Sequence, residues 1–344
     1  MLEMYSTNAI VAKIRSVYGT MLTMDDFREM VAKRSVAEVA DYLRHTKRYQ
    51  ERLRDIDPNS VHRGLFEQLL ADESYSTYKR MCEFQGLEDK PFYDFLLKKS
   101  ECSQMIKLVN AVDCGLQHSF VQGLPRYVME NSRIPFLTLA KCRSFEELKA
   151  RLKGTGYFRL FGKFRLTGEG RVDFTDAEVK LRTSLYEQLA EDAVRSFTGR
   201  EKDELLRLIR SEIDVINMIN AYRLKSFFGY EPEKIKRSML PFTQAGKKNM
   251  DKLYECADPE KMRAMIEAGP YGKYISPDDD DIELGLRRRT LYTMKHTLAR
   301  SNSAPIALYA FVCICENELR NIVRAIEGVR YDVDPALIYR LLIF

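Results

Sequence analysis

The sequence lacks the short motifs that mark most nucleotide-binding and hydrolytic sites. It contains no Gly-x-Gly-x-x-Gly, no P-loop and no Gly-x-Ser-x-Gly elbow, so neither a phosphate-binding loop nor a serine nucleophile is indicated. Its four histidines are scattered, and no two of them are four positions apart, as two zinc ligands on one helix would be. These absences disfavour the common catalytic classes. An enzyme whose acid and base come from distant parts of the chain would leave no such motif, so that alternative stays open.

The cysteines are arranged neither as a metal site nor as a disulfide framework. There are seven of them, an odd number, and none forms a Cys-x-x-Cys pair. Most lie in apolar stretches, where cysteine behaves as a small hydrophobic residue. Cys313 and Cys315 point to different faces of one apolar segment, so we do not expect them to share a metal. The cysteine pattern predicts a reducing, cytosolic setting.

Long hydrophobic runs are missing as well. The longest, from Ala304 to Cys315, contains Pro305 and falls short of the roughly 20 apolar residues that cross a bilayer. The N-terminus has no basic stretch followed by an apolar core, so no secretory leader is indicated. We therefore expect a chain that does not span a membrane, and this argument leaves open whether it lies against one.

Charge of one sign is not concentrated in one region. The 55 Lys and Arg residues are interleaved with 50 Asp and Glu residues, giving a formal net charge of +5 and a sequence pI of about 8.7. Without a long basic stripe, nucleic-acid binding is disfavoured. A mildly basic surface is ordinary for a soluble protein, and it is also compatible with an anionic membrane surface or an acidic partner. The run Asp278 to Asp281 lacks the spacers, glycine turn and distal glutamate of a calcium loop, so we interpret it as a solvated loop before a helix.

One short element occurs three times, and the rest of the chain is organised around it. Each copy begins with a helix-capping residue, continues with apolar residues on one helical face, and is followed by a tyrosine. The copies run from Ser35 to Leu43 with Tyr49, from Ser144 to Leu152 with Tyr157, and from Asp258 to Ile266 with Tyr271. In the first two copies, Glu38 and Glu147 are predicted to complete capping boxes by accepting from the serine N–H. In the third, Pro259 takes the first helical position.

The spacing of these elements predicts three related helical modules. The capping residues are 109 and 114 positions apart, which is the size of a small domain and not of a solenoid repeat. A second landmark recurs at Leu65 to Leu70 and at Leu185 to Ala190, with a weaker match at Ile282 to Leu284. We expect an all-α protein with module one at 1–124, module two at 125–230, including an insertion at about 161–174, and module three at 231–344.

A glutamate followed by an amphipathic run stands near the end of each module. The three residues are Glu101, Glu212 and Glu316, which are 111 and 104 positions apart. They could form a ring of acids around an axis, but we favour helix-surface acids that each pair with a nearby Lys or Arg. Five positions after the glutamate, modules two and three carry Asn217 and Asn321, whereas module one has Ile106.

Periodicity and capping predict the other elements. Helices are predicted over 8–18, 61–85, 101–121, 176–197, 201–228 and 305–327, with Thr23 as a further N-cap and the last helix central to its module. The stretch from Phe158 to Phe174 is ambiguous, because Tyr157 to Phe161 and Lys163 to Thr167 could form a hairpin with a turn at Gly168 to Gly170. The apolar tail, Ile338 to Phe344, is expected to dock onto a surface of its own chain or of a partner.

Several segments resemble a known family. They are the N-terminal run Asn8 to Arg15 with Tyr18, Gly19 and Leu22, the segments Glu212 to Met218 and Glu316 to Ile322, and the three modules in their order. Together they are similar to the central-stalk adaptor of rotary ATPases, which is the C-type component of archaeal and bacterial V/A-type complexes and the d-type component of eukaryotic ones. The resemblance covers nearly the whole chain, although the insertion is unusual for it.

The resemblance implies an all-α, funnel-shaped protein with pseudo-three-fold symmetry, which sits on the cytoplasmic face of a membrane proteolipid ring. The central shaft would insert into its opening, and the adaptor would pass torque without catalysis, cofactor, metal or nucleic acid. It would be peripheral to the membrane and would not span it. Whether the complex moves H+ or Na+, whether it makes or consumes ATP, and which residues touch its partners all stay open. The alternative left by the residues themselves is a soluble all-α scaffold that binds another protein.

Overall fold

A computed structural model of the chain describes residues 2–58, 63–84, 87, 89–168, 170–276 and 282–344. These residues form helices and no strand, and an isolated antiparallel bridge joins Leu166 and Val172. The all-α prediction is therefore confirmed. The loop predicted at Asp278 to Asp281 and the first residues of the helix predicted from residue 61 lie outside the described residues.

The helices follow one another with short connections. In chain order they are α1 (Leu2–Tyr18), α2 (Met24–Val31), α3 (Val36–Arg44), α4 (Gln50–Leu53), α5 (Arg63–Phe84), α6 (Phe95–Cys114), α7 (Gln117–Gln122), α8 (Arg126–Asn131), α9 (Phe136–Leu139), α10 (Phe145–Arg151), α11 (Gly156–Phe161), α12 (Phe174–Ser196), α13 (Gly199–Phe228), α14 (Pro232–Arg237), α15 (Lys247–Tyr254), α16 (Pro259–Ala268), α17 (Ile282–Arg300), α18 (Ala304–Arg330) and α19 (Pro335–Arg340). Short 3₁₀ segments lie at Pro91–Asp94 and Gly272–Tyr274.

The chain forms two compact units, each assembled from separate stretches of sequence. The first unit contains Met1–Asp89, Pro125–Tyr127 and Arg287–Phe344, and the second contains Lys90–Leu124 and Val128–Leu286. This division groups residues by contact, whereas the modules at 1–124, 125–230 and 231–344 group them by repeated sequence. The module boundaries stay a prediction.

The first unit is built around α18. Every side chain of this helix from Ala304 to Cys315 is buried, and the helix contacts α1, α2, α3, α5 and α19. Pro305 lies in the first turn, where its missing N–H leaves no intrahelical bond unmade. The helix predicted over 305–327 is thus confirmed as central. The apolar tail docks onto its own chain, since Ile338 and Leu342 are buried in the same core and Ile343 is buried as well.

The second unit has α6, α12 and α13 as its long helices. α12 packs against both α6 and α13, and the C-terminal half of α13 shares a core with the short helices that follow it. Val215, Met218 and Ile219 on α13 contribute to this core together with Ile235 and Met262. α13 ends where Gly229 takes φ +58°, a left-handed conformation that a glycine adopts without steric cost.

The three capped helices form as predicted, with one difference in detail. Ser35, Ser144 and Asp258 have nearly identical extended dihedrals, and each side chain accepts a hydrogen bond from the backbone N–H three residues later. The predicted return bond to the serine N–H is wrong. Glu38 accepts instead from the N–H of Arg34, and Glu147 from that of Arg143, each at 3.0 Å. The carboxylates thus bind the donor one residue before the cap, in the same way in both copies.

Two other expectations about local structure need correction. The helix predicted over 101–121 ends at Cys114, because Gly115 takes φ +72° and closes α6 before α7 begins. Tyr157 to Phe161, predicted as a possible hairpin strand, is helical and belongs to α11. Only the second half of that region forms a tight reversal, in which Thr167 N–H donates to the carbonyl of Arg171 at 2.7 Å.

Candidate functional site

Each repeat element lies in a cluster of three short helical segments, and each cluster packs against a long helix. The first cluster is α2–α4, the second is α9–α11, and the third is α15, α16 and the 3₁₀ segment Gly272–Tyr274. α6 contacts α10 of the second cluster, α13 contacts α16 of the third, and α18 contacts α2 and α3 of the first. The pairing is therefore cyclic in sequence order: each cluster packs on the long helix of the preceding predicted module, and the first cluster packs on that of the last.

The three recurring glutamates lie on these long helices. On α13, Glu212 Oε1 is 3.1 Å from Lys99 Nζ and accepts a hydrogen bond from the hydroxyl of Tyr186, so the predicted pairing with a cation is confirmed for this residue. On α6, Glu101 Oε1 accepts instead from the hydroxyl of Ser132 at 2.6 Å. Burial raises the pKa of Glu101, and the bond from Ser132 only partly opposes that effect. Glu316 is half-buried on α18.

The acids that join clusters to long helices stand two positions after these glutamates, and sequence reasoning missed them. Asp214 on α13 is fully buried. Its carboxylate accepts from Thr243 Oγ1 at 2.5 Å, from the backbone N–H groups of Gln244 and Ala245 at 3.1 and 2.8 Å, and from the hydroxyl of Tyr271 at 2.7 Å. Four donors satisfy the charge of this carboxylate in a site that water does not reach.

Glu318 on α18 occupies the corresponding position and is also buried. Its carboxylate accepts from the N–H of Leu22 at 2.7 Å and from the hydroxyl of Tyr49 at 2.8 Å, and it lies 3.8 Å from Arg48 Nε. Burial raises the pKa of Glu318, while Arg48 and the two hydrogen bonds oppose that rise. This buried network ties the connection before α2 and the connection between α3 and α4 to α18.

The two acids receive hydrogen bonds from equivalent tyrosines. Tyr49 and Tyr271 are the tyrosines that follow the first and third copies of the repeat element, and each donates to the acid on the long helix that carries its cluster. The available sequence signal was the recurrence itself, because an acid stands two positions after the recurring glutamate both at Asp214 and at Glu318. A carboxylate that is buried in the fold is expected to be paired.

The remaining pair, formed by α6 and the second cluster, has no such acid. Ser103 stands two positions after Glu101 and is exposed. Tyr157 follows the second element, and burial, with Cys102 and Glu101 nearby, raises the pKa of its hydroxyl. A cavity of about 440 Å³ lies here, lined by Lys98, Glu101, Cys102, Gly156, Tyr157, Leu160, Leu181, Ser184, Leu185 and Gln188. Lys98 Nζ is 2.6 Å from Asp192 at the edge of this region, so its charge is already paired.

The asparagines five positions after the glutamates form matching two-bond contacts. Asn217 Nδ2 donates to the carbonyl of Leu240, and Asn217 Oδ1 accepts from the Leu240 N–H, both at 2.9 Å. Asn321 makes the same pair of bonds with Ile343, at 2.8 and 3.0 Å. Ile106 holds the equivalent position on α6 and is buried without polar atoms. Modules two and three therefore share a detail that module one lacks, as the sequence difference predicts.

The buried acids, tyrosines and asparagines described above hydrogen-bond to other parts of the fold and stabilise it. Burial raises the pKa of the Cys102 and Cys315 thiols to about 12, so neither supplies a thiolate near neutral pH. In the part of the chain that the structure describes, no three His, Cys, Asp or Glu side chains are grouped so that they could hold a metal ion. The arrangement can hold short-helix clusters rigidly on long helices, and that is a mechanical property.

Apolar side chains are exposed at the ends of the long helices. Phe227 and Phe228 at the end of α13 are 76% and 66% exposed, and beyond α6 and α18 the exposed residues are Leu116, Val121, Tyr331, Val333, Leu337 and Leu341. Such residues are candidates for contacts with partners. No helix within the described ranges is long and apolar enough to cross a membrane.

Comparison with protein families gives one match that covers nearly the whole chain. Residues 10–341 match the model of the family described as ATP synthase (C/AC39) subunit. A comparison with curated proteins gives no match.

Proposed function

Because the chain belongs to the ATP synthase (C/AC39) subunit family, a structural subunit of the V/A-type rotary ATPase, we propose that it is the non-catalytic central-stalk adaptor of such a complex. In this role it couples the central shaft to the proteolipid ring on the cytoplasmic face of the membrane. It is peripheral to the bilayer, and it turns with the ring and the shaft during ATP-driven ion transport or ATP synthesis.

The cyclic pairing of clusters and long helices is the observation that carries this proposal. The second and third clusters pack on α6 and α13, and the first packs on α18, so no cluster is left without a long helix. A cyclic order of equivalent contacts is what three modules around a pseudo-three-fold axis require. Three modules in a funnel would offer a socket to a shaft and a wide base to a ring.

Torque transfer requires that the modules do not slide past one another. The buried hydrogen bonds between the clusters and the long helices, which we call the buried links, oppose such sliding. Asp214 and Glu318 each join a long helix to a cluster through hydrogen bonds with charged acceptors, which are stronger than bonds between neutral groups. Asn217 and Asn321 fix the following backbone to the same helices with two bonds each. Because all these groups are buried, displacing them would leave polar atoms unsatisfied, and that resists small deformations.

Co-purification from gently solubilised membranes tests the proposal. The C-terminal residues pack into the core, where Phe344 contacts Phe27, so a tag belongs in the exposed reversal between Thr167 and Arg171 and not at the C-terminus. We expect proteolipid, stalk and nucleotide-binding subunits to co-purify with the tagged chain. A chaotropic wash of the membranes should release the chain from them.

The same experiment decides against the second candidate, a soluble all-α scaffold for another protein. That candidate shares the helical fold and the balanced charge, and differs only in its partner. Recovery of a different soluble protein, from membranes in which the ATPase itself stays intact, would rule out the adaptor role. The buried links would then hold a scaffold together in the same way.

A further inference from the structure

The end of α13 presents the most exposed large apolar side chain in the described part of the protein. Phe227 is 76% exposed, and its neighbour Phe228 is 66% exposed. The ring centroid of Tyr230 lies 5.7 Å from that of Phe228. We call these three residues the aromatic tip. Exposed apolar residues that occur singly need no explanation, but adjacent aromatic rings at a helix end indicate a contact.

The backbone holds the aromatic tip in a fixed position. The N–H of Gly229 donates to the carbonyl of Lys225 at 3.1 Å, and the N–H of Tyr230 donates to that of Leu224 at 3.2 Å. With Gly229 at φ +58° and its N–H bonded to the Lys225 carbonyl, this is an αL ending, which satisfies carbonyls that the helix would otherwise leave free. The two phenylalanines therefore protrude from a regular last helical turn and not from a loose loop.

Two lysines contact Tyr230 of the aromatic tip. From Arg223 to Arg237 the sequence has five basic residues and two acidic ones, for a net charge of +3. Lys234 Nζ lies 3.5 Å from the ring centroid of Tyr230, and Lys225 Nζ donates to the Tyr230 carbonyl at 3.4 Å. Arg223 is paired with Glu283, and Lys236 is paired with Glu233 and Glu255. This leaves Lys234 as an exposed cation over the Tyr230 ring, and Arg237 as a second exposed cation on the same short helix, α14.

We propose that the aromatic tip binds the headgroup region of a membrane that contains anionic lipids. Aromatic rings flanked by Lys and Arg match this layer, because the rings enter the acyl boundary while the cations stay with the phosphate groups. A protein partner would instead have to provide a concave apolar pocket lined by acids. The inference deepens the proposed function, on which it rests for the presence of a membrane next to the chain.

Binding through the aromatic tip alone is expected to be weak and reversible. Stable anchoring to a bilayer takes more than one apolar insertion, and a few cations add only a modest attraction that salt screens. The tip would therefore orient an adaptor that its protein partners retain. The end of α6 also carries exposed apolar side chains, but its own sequence from residue 108 to residue 125 contains no Lys or Arg.

The absence of tryptophan from the chain permits a direct test. Phe228→Trp gives the full chain one tryptophan at the aromatic tip, and Leu116→Trp places one at the end of α6, where no Lys or Arg occurs between residues 108 and 125. With vesicles of phosphatidylserine and phosphatidylcholine, we expect the emission of F228W to shift to shorter wavelength and to be quenched by brominated acyl chains. L116W should show neither change.

Co-sedimentation with the same vesicles gives the affinity. We expect F227S/F228S to lower the partition coefficient roughly tenfold or more, and K234Q/R237Q to lower it about fivefold for each cation removed, on anionic vesicles only. The matched control L116S/V121S should leave it unchanged. Equal behaviour of F228W and L116W, or equal partitioning of F227S/F228S and the wild-type chain, would overturn the proposal.

This test separates the two proposals because it contains lipid and no other protein. The isolated wild-type chain could fail to bind vesicles while F227S/F228S no longer co-purifies with the ATPase. The aromatic tip would then contact a protein, and the lipid inference would be wrong. If the chain binds vesicles but recovers none of the ATPase components, the lipid inference stands and the adaptor role fails.

Discussion

The hydroxyl of Tyr49 donates a 2.8 Å hydrogen bond to the carboxylate of Glu318, across 269 positions of sequence. Tyr271 makes the same bond with Asp214 at 2.7 Å, across 57 positions. The two tyrosines follow equivalent copies of the repeat element, and the two acids occupy equivalent positions on long helices. One link thus recurs at two cluster–helix contacts, although the sequence separation differs several-fold.

Removing one hydroxyl should weaken one link without disturbing the packing around it. We expect Tyr49→Phe and Tyr271→Phe each to lower the free energy of unfolding by about 1–3 kcal/mol, because a buried carboxylate loses one donor. Urea unfolding followed by circular dichroism measures the change. Tyr331→Phe is the control, since Tyr331 is 66% exposed and its variant should stay within about 0.5 kcal/mol of wild type. Equal stability of all three variants would contradict a role for the links.

Replacing Asn217 or Asn321 by alanine leaves different numbers of backbone groups without a hydrogen-bond partner. In Asn217→Ala, both the N–H and the carbonyl of Leu240 lose their partner, so we expect a loss of about 2–4 kcal/mol. In Asn321→Ala, the carbonyl of Ile343 keeps a 2.9 Å bond from Asn317 Nδ2, so the loss should be smaller, about 1–2 kcal/mol. The same unfolding assay ranks the two variants. Asn302→Ala, at an exposed position, is the control. The reverse ranking would show that these bonds do not set the stability.

Local chemistry made the repeat elements and the central helix predictable. Ser35, Ser144 and Asp258 cap their helices as their side chains require, and Pro305 opens the buried helix at a position that tolerates it. The family resemblance drawn from the sequence is confirmed by the match over residues 10–341. Each of these features depends on residues close together in the chain, so a single sequence contains the signal.

Most of the missed features depend on tertiary contacts, whereas the end of α6 depends on the backbone conformation of one residue. Apolar periodicity continues through Gly115, and only its left-handed conformation ends α6. Tyr157 to Phe161 has aromatic residues that suit a strand, yet Phe161 packs against Phe145 and Phe164 as part of a helix. The partners of Asp214 lie 29 to 57 positions away, so its burial could not be read from its neighbours in sequence.

Glu101, which lines the cavity beside α6, should make the stability of the protein depend on pH. Burial raises the pKa of Glu101 above its ordinary value of 4.5. A carboxyl that binds its proton more tightly in the folded state stabilises that state fully below its unfolded pKa, and this contribution is lost as pH rises through the folded pKa. The glutamine in Glu101→Gln cannot ionise. We therefore expect the free energy of unfolding of this variant, relative to that of the wild type, to increase as the pH rises from about 4.5 through the folded pKa of Glu101. Urea unfolding at several pH values measures this difference.

Asp176 supplies a control of opposite sign. Burial opposes its ionisation, but hydrogen bonds from Lys180 and Arg165 outweigh burial and hold its pKa below the ordinary 3.8. The Asp176 carboxylate therefore stabilises the folded state above pH 3.8, and this stabilisation is lost as the pH falls through the folded pKa of Asp176. Asp176→Asn should therefore lose stability relative to wild type above that range and converge with it in acid. Parallel profiles for wild type, E101Q and D176N would contradict both assignments.

Gly328 and Ile338 test how the C-terminal tail is held. A β-carbon at Gly328 would lie 2.5 Å from Cδ1 and Cγ1 of Ile338, which is 3% exposed. Gly328→Ala should therefore destabilise the chain by about 1–3 kcal/mol, even though alanine favours a helix interior over glycine by about 1 kcal/mol. In the Ile338→Ala background the clash is gone, and the same substitution should become neutral or stabilising. Urea unfolding of the two single variants and the double variant closes the cycle. An equal effect of Gly328→Ala in both backgrounds would mean that the tail does not pack against α18.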